Sequence, residues 1–244
     1  MGKIAFVFSG QGAQAPGMGK ELYECSDAVK AVFELCDGIR PGTSEQCFNG
    51  TKEELTVTAN TQPDMFAVEV AAARALVEAG IQPDALAGFS LGEISALAFS
   101  GAVSLEDGFK LVCRRGKLMQ EASNAADSAM VAVVKLPPEK VEELAGQFDQ
   151  VYPVNYNSPA QTVCAGLSSS MDGFKAAVKA AGGRALPLKV SGAFHSPFMS
   201  SAAKGLAEVL APMEFGTPSC PLYSNVTAQP YEDGQFKDLL SRQV

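Results

Sequence analysis

Histidine occurs once in the 244 residues, at His195. A lone imidazole excludes the common zinc sets, which need several histidines or closely spaced cysteines. The six cysteines (Cys25, Cys36, Cys47, Cys113, Cys164 and Cys220) are scattered and form no C-x-x-C pair. Free thiols in a reducing compartment are therefore expected, not a disulfide framework. No segment approaches the roughly 20 apolar residues that span a bilayer. The apolar run near the start, Ile4 to Phe8, is too short for a signal peptide. A cytoplasmic protein with no membrane partner is the expectation. Cations are also scarce: 19 Lys and Arg against 27 Asp and Glu leave a net charge of −8. Nucleic acid is not an expected partner, because its phosphates must be met by clustered cations.

What is present fits a folded domain with a large core. Apolar residues make up 47% of the chain and charged residues 19%, which argues against disorder. The short apolar run at residues 4–8 reads as a buried strand, closed by Ser9-Gly10-Gln11-Gly12. Helices are expected over 19–37 and 61–79, the second ending at Gly80. Residues 85–89 read as a second strand leading into a helix at 91–100, and another helix is expected over 105–122. The middle then reads as strand 129–136, helix 138–147, strands 151–156 and 161–166, helix 169–181 and strand 184–190. That βαββαβ order is the ferredoxin-like unit. The expected fold class is α/β, with 127–190 as a ferredoxin-like subdomain inserted into a core of 1–126 and 191–244. A helix at 197–211 and a short strand near 221–226 complete the reading. The last residues, Ser241 to Val244, carry no capping signal.

Gly88-Phe89-Ser90-Leu91-Gly92 is a G-x-S-x-G motif where a strand becomes a helix. A nucleophile elbow needs that setting. The turn would lift Ser90 Oγ above the sheet edge and leave the Leu91 N–H free to donate to an oxyanion. An ordinary Gly-rich turn is the bland alternative. A serine nucleophile needs a base, and His195 is the only conventional one. Ser196 and Pro197 after it are an N-cap and a first helical residue, and the positive helix end would keep the ring neutral. Gly10-Gln11-Gly12-Ala13-Gln14-Ala15 superficially matches a dinucleotide fingerprint, but helix rather than strand is expected after it. The better reading is a loop that offers the Gln11 N–H as a second oxyanion donor.

Helical phase supplies the next candidate. Lys110, Arg114, Lys117 and Glu121 form the polar stripe of the helix 105–122, while Arg115 falls on the apolar stripe. A guanidinium turned inward must find an anion. That anion is either an internal carboxylate or the carboxylate of a ligand, and the sequence leaves both open. Glu93, in the first turn of its helix, is a second candidate, with macrodipole compensation as its plain role. Asn155 and Asn157 would share one face of a strand and could line a polar pocket, although Asn157 before Ser158-Pro159 equally suits a turn.

FVFSGQGAQ, GFSLGE, RRGKLMQ, VNYNSP and GAFHSPFM, in this order and spacing, together resemble the malonyl-CoA:acyl carrier protein transacylases of fatty-acid synthesis. The resemblance runs through essentially the whole chain. It implies an α/β-hydrolase-like core with a ferredoxin-like insert. It implies that Ser90 takes a malonyl group from malonyl-CoA and passes it to the phosphopantetheine thiol of acyl carrier protein, with no resident cofactor. His195 would be the base, the Gln11 and Leu91 N–H groups the oxyanion hole, and Arg115 the clamp on the malonyl carboxylate. Phe194, just before the histidine, goes with malonyl rather than methylmalonyl in related polyketide acyltransferases. Relatives mostly have His where this chain has Phe89. They continue for several tens of residues, through a glutamine whose main chain orients the histidine and a Gly-rich last strand; both are expected to be missing here. A monomer is expected. The carrier protein is acidic, so its docking site would need local cations: Lys110, Arg114 and Lys117, or Arg184 and Lys189. Two other readings stay open. One is a serine hydrolase or thioesterase, which would need Asp127, Asp149 or Asp172 to orient His195. The other is an inactive chain that only binds coenzyme A or carrier protein.

Overall fold

The computed structural model describes residues 2–188, 190 and 192–244. In chain order its elements are β1 (Ala5–Phe8), α1 (Lys20–Cys25), α2 (Asp27–Ile39), α3 (Thr43–Asn49), α4 (Lys52–Thr56), α5 (Thr58–Glu78), β2 (Ala85–Gly88), α6 (Leu91–Phe99) and α7 (Leu105–Ser123). They continue with β3 (Ser128–Val134), α8 (Pro138–Ala145), β4 (Val151–Ser158), β5 (Gln161–Leu167), α9 (Ser168–Ala180), β6 (Arg184–Pro187), a 3-10 turn (Pro197–Met199), α10 (Ser200–Leu210), β7 (Leu222–Tyr223) and α11 (Phe236–Arg242). The chain divides into two compact units, residues 1–117 with 204–243, and residues 118–203 with Val244.

In the first unit β1, β2 and β7 form a parallel sheet in the order β1-β2-β7. Phe8 stands opposite Gly88 in the register, and the Phe89 N–H donates to the Phe8 carbonyl at 2.9 Å. The turns that follow β1 and β2 therefore leave the same sheet edge side by side. Ligand sites of parallel sheets are built at the carboxyl ends of strands. Phe6 and Phe8 pack on Phe99 of α6, with ring centroids 5.8 Å apart in both pairs.

In the second unit the order β4-β5-β3-β6 is antiparallel throughout. With α8 and α9 as crossovers it is the βαββαβ arrangement of a ferredoxin-like sheet. Val131, Val133, Val141, Leu144, Cys164, Met171 and Phe174 make its core.

Several elements differ from the sequence reading. The helix expected over 19–37 is two, because Ser26 is extended and its Oγ accepts from the Val29 N–H at 3.2 Å, capping α2. The short helices α3, α4 and α11 were not anticipated. The reciprocal capping box of Thr51 and Glu54 marks α4. The expected helix at 197–211 opens as a 3-10 turn, whose cap Ser196 accepts from the Phe198 N–H. The strand near 221–226 is only two residues long. Lys189, a docking candidate, and Ser191 lie outside the described residues.

Candidate active site

Gly88 and Gly92 bracket the elbow by close approach. A Cβ on Gly88 would collide with the Gly92 carbonyl and the Glu93 N, and one on Gly92 would collide with the Phe8 and Ser9 carbonyls. Between them Ser90 has φ 54° and ψ −105°. That conformation is strained for a residue with a Cβ, by about 1–3 kcal/mol, and must be held by its surroundings. Asn225 holds it. Its Oδ1 accepts from the Ser90 N–H at 2.7 Å, and its Nδ2 donates to the Gly88 carbonyl at 2.5 Å. The Asn225 N–H in turn donates to Glu93 Oε1 at 2.9 Å. Leu91 begins α6, and its N–H has no acceptor among the described residues. Gln11 is half-buried in the turn after β1; its side chain donates to Thr58 Oγ1 at 3.2 Å.

Arg115 is 1% exposed. Its Nη2 donates to Ser90 Oγ at 3.1 Å and to Gln243 Oε1 at 2.7 Å, and its Nη1 donates to Gln62 Oε1 at 2.8 Å. Its Nε is buried and has no hydrogen-bond partner among the described residues. These partners are neutral amides and a hydroxyl, and among the described residues no carboxylate lies within salt-bridge distance of this guanidinium. Burial lowers its pKa to about 10, and the field of Glu93 opposes that shift. The group is still a cation at neutral pH. It is a buried positive charge beside a hydroxyl, solvated by amides that an incoming carboxylate could displace.

Glu93 is a hub rather than a helix-start ornament. It is fully buried and accepts from the Asn225 N–H, from the Tyr231 hydroxyl at 2.7 Å, and from Gln243 Nε2. Burial raises its pKa, and those donors pull it back. Gln243 also donates to the Ser90 carbonyl at 2.8 Å. The end of the chain was read as carrying no signal, yet Gln243 ties Arg115, Ser90 and Glu93 together. Asn225, Tyr231 and Gln62 were not singled out either. No local motif around them points to a site.

The remaining candidates belong to the second unit. His195 is half-buried with φ 60°; Phe194 before it is 5% exposed. Ser196 Oγ donates to the Ala193 carbonyl at 2.5 Å, and the Ala193 N–H donates to Ser128 Oγ at 3.1 Å, which pins this loop from both sides. The shared face expected for Asn155 and Asn157 does not form. β4 has register shifts between Pro153 and Asn155 and between Tyr156 and Ser158, so Asn157 is the extra residue of a bulge. It is exposed and donates to Gln161 Oε1 at 3.0 Å, a turn role, while Asn155 is half-buried. The three acidic residues that a hydrolase triad would draw on are engaged elsewhere. Asp127 accepts from Ser168 Oγ at 2.7 Å, Asp172 pairs with Lys175 at 2.6 Å, and Asp149 accepts from Gln150 at 3.5 Å.

The acyl transferase domain family model matches residues 5–242. The malonyl CoA-acyl carrier protein transacylase of Bacillus subtilis (strain 168) is 39% identical over 251 residues, covering 100% of this chain and 79% of its own length. The chain belongs to the malonyl CoA-acyl carrier protein transacylase family. Solved members agree with it closely. The crystal structure of the Streptococcus pneumoniae transacylase superposes with a TM-score of 0.93 at 41% identity, over 99% of this chain and 81% of that one. A malonyl-transacylase solved in complex with a type II PKS acyl-carrier protein gives 0.94 at 37% identity, over 99% and 81%. Within this transacylase fold, Asn225→Ala is expected to lower stability by about 2 kcal/mol, because the Ser90 N–H and Gly88 carbonyl lose their partners together. Denaturant unfolding checks it, and an unchanged midpoint would show that Asn225 does not hold the elbow.

Proposed function

We propose that this chain moves a malonyl group from malonyl-CoA to the phosphopantetheine thiol of an acyl carrier protein, through a malonyl ester on Ser90. The observation that carries the reading is Arg115: a buried guanidinium within hydrogen-bond distance of Ser90 Oγ and without a carboxylate partner among the described residues. A diacid thioester supplies that partner, and anchoring its far carboxylate sets its near carbonyl at the serine.

In the first half-reaction His195 takes the Ser90 proton as Oγ attacks the thioester carbonyl. The Gln11 and Leu91 N–H groups stabilise the tetrahedral oxyanion. The C–S bond breaks, and the proton on His195 goes to the departing coenzyme A thiol. In the second half-reaction His195 takes the proton of the carrier-protein thiol. Its sulfur attacks the malonyl ester, and the proton returns to Ser90. The chemistry is a balanced acyl exchange and calls on no resident cofactor. Phe194 closes the acyl pocket against a branched acyl group, and Asn155 adds a polar contact; Asn157 has no part. Among the described residues no helix is long and apolar enough to cross a membrane. We place the enzyme in the cytoplasm, acting as a monomer.

Docking falls to the outer face of α7. Arg114 and Lys117 are exposed and, with Arg40 and Lys110, line a groove of about 380 Å³. Lys110 pairs with Glu106 and Arg40 with Asp64, which leaves Arg114 and Lys117 as the main cations for an acidic partner. Arg184, exposed on β6, is the alternative. Reversing both charges, Arg114→Glu with Lys117→Glu, is expected to raise the carrier-protein KM about tenfold and flatten its salt dependence, with the malonyl-CoA KM unchanged. Steady-state kinetics at two ionic strengths checks this; an unaltered carrier-protein KM places docking elsewhere.

The transfer itself is tested by incubation with malonyl-CoA with and without holo carrier protein. Malonyl thioester should accumulate on the carrier, with little free malonate in its absence. Rapid release of malonate without an acceptor would instead favour a hydrolase.

A further inference from the structure

Glu69, on α5, is a carboxylate with no assigned task. It is 8% exposed, and it lines an apolar groove of about 420 Å³ with Phe6, Phe8, Met65 and Val68. Its Oε1 accepts from Ser9 Oγ at 2.7 Å and its Oε2 from Ser95 Oγ at 2.6 Å. The Ser9 N–H adds a backbone hydrogen bond. Among the described residues no cation pairs with it. Arg74, on the same helix, stands over the Phe99 ring instead, and Glu93 on α6 turns to Asn225 and Tyr231. Burial raises its pKa to about 7, against its hydrogen bonds. An apolar side chain would fill this place at less cost, so a retained carboxylate calls for a role in holding something.

What it holds is the loop after β1. Ser9 is followed directly by Gly10 and Gln11, and the Ser9 carbonyl lies against Gly92 in the first turn of α6. Ser95 is one turn further along α6. The two oxygens of one carboxylate thus join the loop that carries Gln11 to the helix that carries Leu91. We propose that Glu69 is a positioning residue that fixes the Gln11 N–H relative to the Leu91 N–H, so that both donors meet one oxyanion. This rests on the oxyanion reading of Gln11 given above. Oxyanion donors act only when their spacing is set in advance, because a loop that must be ordered at the transition state loses much of its benefit.

The test compares Ser9→Ala, Ser95→Ala, Glu69→Ala and Glu69→Gln in malonyl transfer to holo carrier protein. In parallel, hydrogen–deuterium exchange is read over residues 9–12. Ser9→Ala and Glu69→Ala should each lower kcat about tenfold, with the malonyl-CoA KM within about twofold, and should speed exchange in 9–12. Combining them should add little. Glu69→Gln keeps an acceptor for Ser9 and should retain most of kcat. Ser9 is exposed, so its variant reads the loop even if Glu69→Ala fails to fold. Wild-type kcat and exchange in Ser9→Ala would overturn the proposal. So would wild-type kcat and exchange in Ser95→Ala, which cuts the other end of the bridge. If the wild-type chain transfers no malonyl group, the transferase reading fails; slowed exchange in 9–12 that depends on Glu69 would still show the tether.

Discussion

Arg115→Ala is expected to lower kcat/KM for malonyl transfer by about 100-fold or more, the scale for a lost bidentate charge contact of about 3 kcal/mol. Transfer of acetyl from acetyl-CoA should fall far less, and the malonyl-over-acetyl preference should shrink toward unity. The asymmetry follows from burial. The guanidinium is 1% exposed and donates to two glutamine amides and one hydroxyl. A neutral acyl group makes no demand on that charge, whereas a malonate carboxylate finds in Arg115 a cation within hydrogen-bond distance of Ser90 Oγ. Removing the guanidinium also takes a donor from the buried Gln62 and Gln243 oxygens, so the unfolding midpoint of the variant is read alongside its kinetics. Parallel kinetics with the two thioesters decides it. Equal losses for malonyl and acetyl would mean that Arg115 supports Ser90 rather than the substrate.

His195→Ala is expected to lower acyl-enzyme formation by about 10³-fold, within the usual range for loss of a positioned general base. The malonyl-CoA KM should change little, since the carboxylate anchor is untouched. Stopped-flow or quenched-flow measurement of serine acylation separates the two terms. A residual rate rising with pH would be consistent with hydroxide replacing the imidazole. Acylation at the wild-type rate would remove His195 from the mechanism.

Ser90 and Arg115 were legible in the sequence because they lie at the end of, or within, regular elements whose period can be counted, whereas Gln11 was found by its place after the first strand and His195 by being the only histidine. The G-x-S-x-G run stands at the end of an apolar run, and Arg115 falls on the wrong side of a helix stripe. The resemblance of five ordered motifs adds the family, which full-length relatives bear out. What was not legible lies where the period fails. Asn225 and Tyr231 sit in irregular chain after β7 and reach Gly88, Ser90 and Glu93 across more than 130 residues. Gln243 reaches Ser90 across 153. Contacts of that separation leave no local pattern. Two bulges in β4 broke the alternation on which the pairing of Asn155 with Asn157 depended. Ser26 carried a cap signal that the apolar period on either side concealed. Glu69 is the sharpest case: its helical phase sets it on the inward stripe with Met65, Ala72 and Leu76, and only the fold shows it turned onto two serines.

The most direct measurement is the intact mass of the protein after brief exposure to equal concentrations of malonyl-CoA and acetyl-CoA, with Ser90→Ala as the control. A buried cation beside the nucleophile predicts a single adduct, malonyl, located on Ser90 and absent from the control. A predominantly acetylated protein, or a malonyl adduct that persists in Ser90→Ala, would contradict it.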